Sequence, residues 1–298
     1  MTFHEGELAV QERVGVVKQA SRVGTSIHPS IPPAAREFLE HQPYVFAGSI
    51  DENGRIWASL LLGETGFMSV LNDQTIKIEA PSTDDFIFEH LKANEKIGLL
   101  AIEFETRRRM RANGRARLAE DSIIVQTDEV FSNCPKYIQA RFWEKDERLQ
   151  SKISDSKRFT QITTEQIEFI DRADTFIIAS AHPTRGADVS HRGGNPGFVK
   201  VSAEKKIVFP DYSGNMMFQT LGNLQSNPHC GLLFYNFSDG RILQLTGRAK
   251  IVWDEERIKQ FAGAERLVEF EISEARESVL KTNLNWYFID SSPFNPKL

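Results

Sequence analysis

Short apolar runs broken by turn residues set the character of the chain. Tyr44–Ile50, Phe176–Ser180 and Gly231–Phe237 are rich in Phe, Ile, Leu and Val and are bounded by turn formers, a strand signature. In the first half the pattern predicts strands at Tyr44–Ile50, Arg55–Leu62, Phe67–Leu71, Thr75–Glu79, Ile97–Phe104 and Arg107–Leu118. A turn falls at Asn53-Gly54, and one helix is predicted over Asp84–Ala93. Thr127–Phe169 is polar and reads as linker, with helical patches at Pro135–Asp146 and Thr164–Phe169. Residues 1–36, with Pro29, Pro32 and Pro33, read as irregular chain leading to a short helix, and Asp254–Phe261 looks helical.

The pattern occurs twice. Gly66-Phe67-Met68-Ser69-Val70 matches Gly197-Phe198-Val199-Lys200-Val201 at an offset of 131, which also pairs Ser49 with Ser180 and Ser59 with Ser190. Asn94–Leu100 matches Asn227–Leu233, and Gly114-Arg115-Ala116 matches Gly247-Arg248-Ala249, both at 133. The second copy has gained two residues between Phe209 and Leu224. Many short strands with one helix per copy suggest a tandem of small barrels, mainly β. The expected organisation is an N-terminal segment (1–36), a first repeat (37–126), a linker with helices (127–169), a second repeat (170–253) and a C-terminal helix and tail (254–298).

Composition narrows the function classes. The 298 residues carry a net charge of −5, so the chain as a whole is not a basic nucleic-acid binder. No apolar run approaches the ~18 residues of a membrane span. The N-terminus has acidic residues where a signal peptide is basic. Two cysteines make neither a disulfide framework nor a zinc cluster, and the simplest setting is reducing and cytoplasmic. Seven scattered histidines have no metal-ligand spacing, so no metal is expected. P-loop, G-x-G-x-x-G, H-E-x-x-H and nucleophile-elbow motifs are absent.

Three segments carry candidate chemistry. Asp188–Gly194 places Ser190, His191 and Arg192 where the first copy has Ser59, Leu60 and Leu61. A polar swap at matched positions points to an anion site with Arg as forked donor; a solvated edge strand is the plain alternative. Pro210–Asn215, with Asp211 and Asn215, precedes the helical stretch Met216–Leu224, and turn formation and an anion site at the helix start are compatible readings. Arg107–Arg117 holds six arginines in eleven residues. On a strand Arg107, Arg109, Arg111 and Asn113 share one side, which is either a solvated face or one that meets a phosphate. A nucleic-acid surface is the weaker option there, since no aromatics interleave. Cys134, beside Lys136, reads as a packing residue.

Taken together, these segments resemble the pyridoxamine 5′-phosphate oxidase-like flavin-binding split barrels, in their long duplicated branch. The carriers are His4-Glu5-Gly6-Glu7, Arg107-Arg108-Arg109 with Asn113-Gly114-Arg115, Asn133–Gln139, Asp188–Gly194, Pro210–Asn215 and Leu221-Gly222-Asn223-Leu224. The resemblance implies tandem FMN-binding split β-barrels, FMN where two barrels meet, and a homodimer. It implies phosphate held near Arg192 and the turn Asp211–Met217, although Asn215 and two Met replace the family's Arg-Lys pair. Where the oxidases place a Gln, the second copy has Ile242, with Gln244 two residues on, and the first copy has Arg109 and Arg111. The first barrel is therefore expected to lend positive charge to the second. The implied activity is an FMN-dependent oxidoreductase of unknown substrate, with vitamin B6 oxidation not implied and no catalytic residue named. A non-enzymatic flavin carrier or sensor is the alternative.

Overall fold

The structure, a computed structural model, describes residues 2–79, 86–148, 151–154, 156–203 and 206–297. The first sheet holds β1 (Tyr44–Ile50), β2 (Ile56–Leu62), β3 (Met68–Asn72), β4 (Thr75–Glu79), β5 (Lys96–Glu103), β6 (Arg108–Ala119) and β7 (Ser122–Ser132). Three short strands follow: β8 (Ala140–Lys145), β9 (Lys152–Ile153) and β10 (Lys157–Phe159). The second sheet holds β11 (Thr175–His182), β12 (Gly186–Gly193), β13 (Lys200–Ala203), β14 (Lys206–Asp211), β15 (His229–Tyr235), β16 (Arg241–Val252) and β17 (Arg266–Lys281). A last strand, β18 (Leu284–Asp290), pairs with β8. The helices are α1 (Glu5–Val14), α2 (Val17–Gly24), α3 (Pro33–Glu40), α4 (Phe86–Ala93), α5 (Thr164–Arg172), α6 (Gln219–Ser226) and α7 (Glu255–Ile258).

The repeat is carried into three dimensions strand by strand. The first sheet runs β2-β1-β5-β6-β7-β4-β3 and the second β12-β11-β15-β16-β17-β14-β13, with β9 and β10 added along β17. Register is kept as well: Leu100 lies opposite Arg111, and Leu233 opposite Gln244. Even the irregularity is copied, with bulges at Asn113/Gly114 and Thr246/Gly247.

Period-two alternation sorts the apolar residues into three cores. Val45, Ala47, Leu61, Ile97 and Leu99 fill the first barrel, and Phe176, Ile178, Leu232, Phe234 and Leu243 fill the second. The alternate residues of the same strands, Phe46, Leu60 and Leu100 with Ile177, Val189 and Leu233, form a third core. Strands buried on both faces explain the unbroken apolar runs in the sequence. At two matched points the barrels touch backbone to backbone. A Cβ on Gly98 would lie 2.8 Å from Asp188 Cα, and one on Gly231 would lie 2.8 Å from Trp57 Cα.

Several elements differ from the sequence expectation. Pro135–Asp146 is not helical: it contains β8, whose Phe142 stacks on Tyr287 of β18 at 4.9 Å between ring centroids. Cross-strand aromatic packing outweighs the helical polar pattern there. The N-terminal segment is ordered by α1 and α2. Strand β7 runs past residue 126, and β17 lies beyond residue 253 in the stretch read as helix and tail. Helix α4 matches the expected helix from Phe86 on; Asp84 and Asp85 lie outside the described residues.

Candidate functional site

Strand β12 of the second barrel lies across β5 and β6 of the first. Alternation on β6 carries Arg109, Arg111 and Asn113 to the same side, and there they meet β12. Arg111 donates both to the Asp188 carboxylate, at 3.0 and 3.1 Å, and to Ser190 Oγ at 2.5 Å. Asn113 Nδ2 donates to the same carboxylate at 3.1 Å. Arg109 Nη1 lies 3.4 Å from His191 Nδ1. The arginine-dense strand predicted from sequence therefore spends its inward side on the other barrel. Just before the strand the half-buried Arg107 pairs with Asp290, and at its start the exposed Arg108 pairs with Glu103.

A cleft of about 90 Å³ opens beside these contacts. Arg109, Arg111, Ser190, His191, Arg192, Asp211 and Asn215 all line it, as do Cys134, Lys136, Tyr137 and Phe218. Gln244 does not. Arg192 donates to Asp211 Oδ1 at 2.7 Å, and Arg266 reaches the other carboxylate oxygen at 3.5 Å. Asn215 caps its own turn, its Oδ1 accepting from Met217 N at 3.1 Å. Sequence reasoning missed Arg266, which is buried, stacks on Phe218 and carries no local signal.

The electrostatics of the cleft are one-sided. No carboxylate among the described residues pairs with Arg109. Burial, reinforced by Arg111 and Arg192, pulls its guanidinium down to about 9. Burial, with Arg109 and Arg192 next to it, holds His191 well below its ordinary range and so neutral. Four buried nitrogens facing this region lack any partner: the Nε atoms of Arg109, Arg111 and Arg192, and His191 Nε2. Asn133 Oδ1 is an unpaired acceptor among them. Unpaired buried donors around uncompensated positive charge fit an anion with several acceptor oxygens.

Two further features agree. Helix α6 begins at the cleft with Phe218 in the N-cap position and no capping side chain, so its first N–H groups are left for a ligand. Backbone strain gathers here as well: Tyr137, Met216 and Phe218, all lining the cleft, have φ of 65°, 65° and 63°. At about 90 Å³ the cleft is smaller than the ~300–1,000 Å³ of typical ligand pockets, with room for a phosphate-sized group. An apolar groove of about 390 Å³, walled by Phe38, Met110 and Pro135, shares Arg109 and Asn133 with it.

Among the described residues, the matched positions of the other half carry different side chains. Trp57 stands where the second copy has Asp188, and its Nε1 donates to Asp51 at 3.1 Å. Leu61 replaces Arg192. Ile242, Gln244 and Thr246 replace Arg109, Arg111 and Asn113. Gln244 donates to Ala58 O and Thr246 to Ile56 O, both at 2.8 Å. Gln244 thus joins the barrels through its side-chain amide and does not line the anion cleft.

Near Asp188 sits an acid that the sequence analysis quoted only as part of the segment His4–Glu7, with no role of its own. Glu7 is 4% exposed and accepts from His4 N at 2.8 Å. Burial, with Glu129 and Asp188 nearby, raises its carboxyl to about 8. The neighbouring His4, Glu5 and His182 come close enough together to suggest a metal. Their hydrogen bonds argue otherwise. His4 Nδ1 accepts from Gly6 N and His182 Nδ1 from Thr184 N, each at 3.2 Å. That places the protons on the Nε2 atoms, which face Asn223 and Glu5. Metal ligation through Nε2 would move both protons onto nitrogens already occupied by backbone donors.

No helix among the described residues is long and apolar enough to cross a membrane. Among solved structures, Group A Streptococcus HupZ is similar at 11% identity over 37% of this chain and 90% of its own, with a TM-score of 0.32. An FMN-binding protein from Syntrophomonas wolfei matches at 9% identity over 38% and 84%, TM-score 0.29. The FAD binding protein from Mycobacterium smegmatis matches at 12% identity over 41% and 99%, TM-score 0.30. No curated protein matches the chain. The pyridoxamine 5′-phosphate oxidase family model matches twice, over residues 31–171 and again over 162–287, and the chain, duplicated as its two sheets are, belongs to that family.

Proposed function

We propose that this protein binds FMN, one molecule per chain, with the phosphate in the cleft between β6 and β12, and acts as a flavin-dependent oxidoreductase. The observation that carries the reading is the set of unpaired buried donors around Arg109, Arg111, His191 and Arg192. Arg109 supplies uncompensated charge, Arg111 is held in place by Asp188 and Ser190, and Arg192 is aimed by Asp211. The start of α6 adds main-chain donors. FMN contributes hydride or electron transfer at its ring. The chain's part is to grip the phosphate, to keep His191 neutral beside it, and to offer the apolar groove next to Arg109 as a dry surface.

FMN and riboflavin share the ring and differ by the phosphate, so they separate the grip from the rest. In Arg109→Met, losing one charge-assisted contact weakens FMN by about ten- to a hundredfold, while riboflavin binds as to the original protein. FMN affinity unchanged in a folded Arg109→Met protein removes the phosphate site. A carrier or sensor role differs in turnover: FMN-loaded protein that neither consumes NAD(P)H nor reoxidises quickly favours the carrier.

A further inference from the structure

A second cavity, of about 510 Å³, lies at the start of β11 and is walled by Tyr235, Phe237, Trp286 and Phe288. That volume falls within the ~300–1,000 Å³ of small-molecule pockets. Thr175 lines this cavity, and Gly193, its register partner on β12, lines the anion cleft. Aromatic contacts also connect the two: Phe237 lies 5.3 Å from Phe104, and Phe104 lies 6.4 Å from His191.

Two buried polar groups in the cavity lack partners. Arg141, 8% exposed, holds its guanidinium 4.3 Å from the Phe237 ring centroid, and its Nη2 is tied to the Asp174 carboxylate. Its Nη1 has no partner, and neither has the hydroxyl of Thr175, which is 5% exposed. A buried guanidinium N–H without an acceptor is costly, and a ligand that supplies one recovers the loss.

Charge around the cavity decides what kind of acceptor fits. Asp174 already neutralises Arg141. Arg241 is paired with Glu277 at 2.7 Å, and Arg172 lies 3.7 Å from Glu168. Asp239 adds a negative charge at the wall. The cavity therefore has no surplus positive charge, unlike the anion cleft. A carboxylate gains little there, whereas an uncharged carbonyl accepts from Nη1 without repelling Asp174 and Asp239. The four aromatic walls favour a planar body.

We propose that this cavity is a second ligand site, for a neutral planar aromatic compound bearing a carbonyl, such as an aromatic amide. It does not depend on FMN binding. Arg141 Nη1 and the Thr175 hydroxyl donate to the carbonyl oxygen, and the ring lies among Phe237, Trp286 and Phe288.

The test is equilibrium dialysis of the full chain against three probes of one shape: 2-naphthamide, 2-naphthoate and 2-methylnaphthalene. The amide binds saturably at one site. The hydrocarbon, lacking the acceptor, binds about ten- to a hundredfold more weakly, and the acid binds no tighter than the amide. Arg141→Met removes the preference for the amide over the hydrocarbon. Since Arg141 is also half of an ion pair, Thr175→Val is the second variant; it keeps the shape, loses an unpaired hydroxyl, and weakens the amide about fivefold. FMN affinity stays unchanged in Thr175→Val, which separates this site from the phosphate cleft. Absent amide binding, equal amide and hydrocarbon affinity, tightest binding of the acid, or unchanged amide binding in folded Thr175→Val overturns the proposal.

Discussion

Glu7 makes the stability of this protein depend on pH in a direction opposite to that of most carboxylates. Its carboxyl is buried near Asp188, and it stays protonated in the folded state up to about pH 8. In the unfolded chain it ionises near its ordinary 4.5. Below 4.5 both states hold the proton, and the native state carries no penalty. Between 4.5 and about 8 only the unfolded chain gives it up, so stability falls as pH rises; above 8 the slope ends. At about 1.36 kcal/mol per pKa unit, that interval is worth roughly 3–5 kcal/mol. The histidines act the other way. Burial lowers both His4 and His90 to about 4, so their contribution is present above 6.5 and is lost as pH falls from there to 4. The wild-type profile mixes these terms, and Glu7→Gln isolates one of them. Its amide oxygen still accepts from His4 N, while the titration disappears. Urea unfolding of both proteins from pH 5 to 9 should show Glu7→Gln increasingly the more stable as pH rises, by a few kcal/mol at pH 8. Parallel curves with a constant separation would mean that Glu7 is ionised in the folded protein and that the reasoning is wrong.

The close approach at Gly231 predicts a large effect from one methyl group. A Cβ there sits 2.5 Å from Ile56 O, so Gly231→Ala should cost roughly 2–4 kcal/mol, read from the unfolding midpoint, and a loss under half a kcal/mol would show that the barrels are not tightly apposed. Flavin absorbance against protein concentration should saturate at one FMN per chain, because Trp57 and Leu61 stand where the second half has Asp188 and Arg192; a ratio of two would refute that reading.

Much of this architecture was legible in the sequence, and the reasons can be given residue by residue. The repeat was visible because strands packed on both faces are forced to be apolar throughout, which leaves little room for the two copies to drift. Arg109 and Arg111 stood out because arginine is dense on that one strand of an acidic chain, and His191 and Arg192 because the matched positions are leucine. Gln244 was grouped with them by position in the fold; its amide donates to Ala58 O of the other barrel, and local pattern does not encode how the barrels meet. Strand β17 was hidden by its charge and its bulge: Glu269, Glu271, Glu274 and Glu277 interrupt Val268, Phe270, Ile272 and Ala275, and the alternation changes phase after Ile272, so the stretch looked like a polar tail. The unpaired donors of Arg141 and Thr175 have no sequence signature, because a missing partner is a property of space.

Joining the two barrels in one polypeptide changes what substitutions can do. In a symmetric pair of identical subunits, every replacement is made twice, so improving a pocket on one side alters its twin equally. Here Asp188 and Trp57 occupy equivalent places yet are free to differ. A bulky indole at one position adds packing without obstructing the cleft at the other, and a charged cleft at one position does not oblige the chain to bury a second unmatched set of guanidinium groups. The covalent link thus lets the matched positions of one half serve packing while those of the other, together with Arg109 and Arg111 of the first barrel, line a charged cleft, an asymmetry that two copies of a single gene product cannot reach by point mutation.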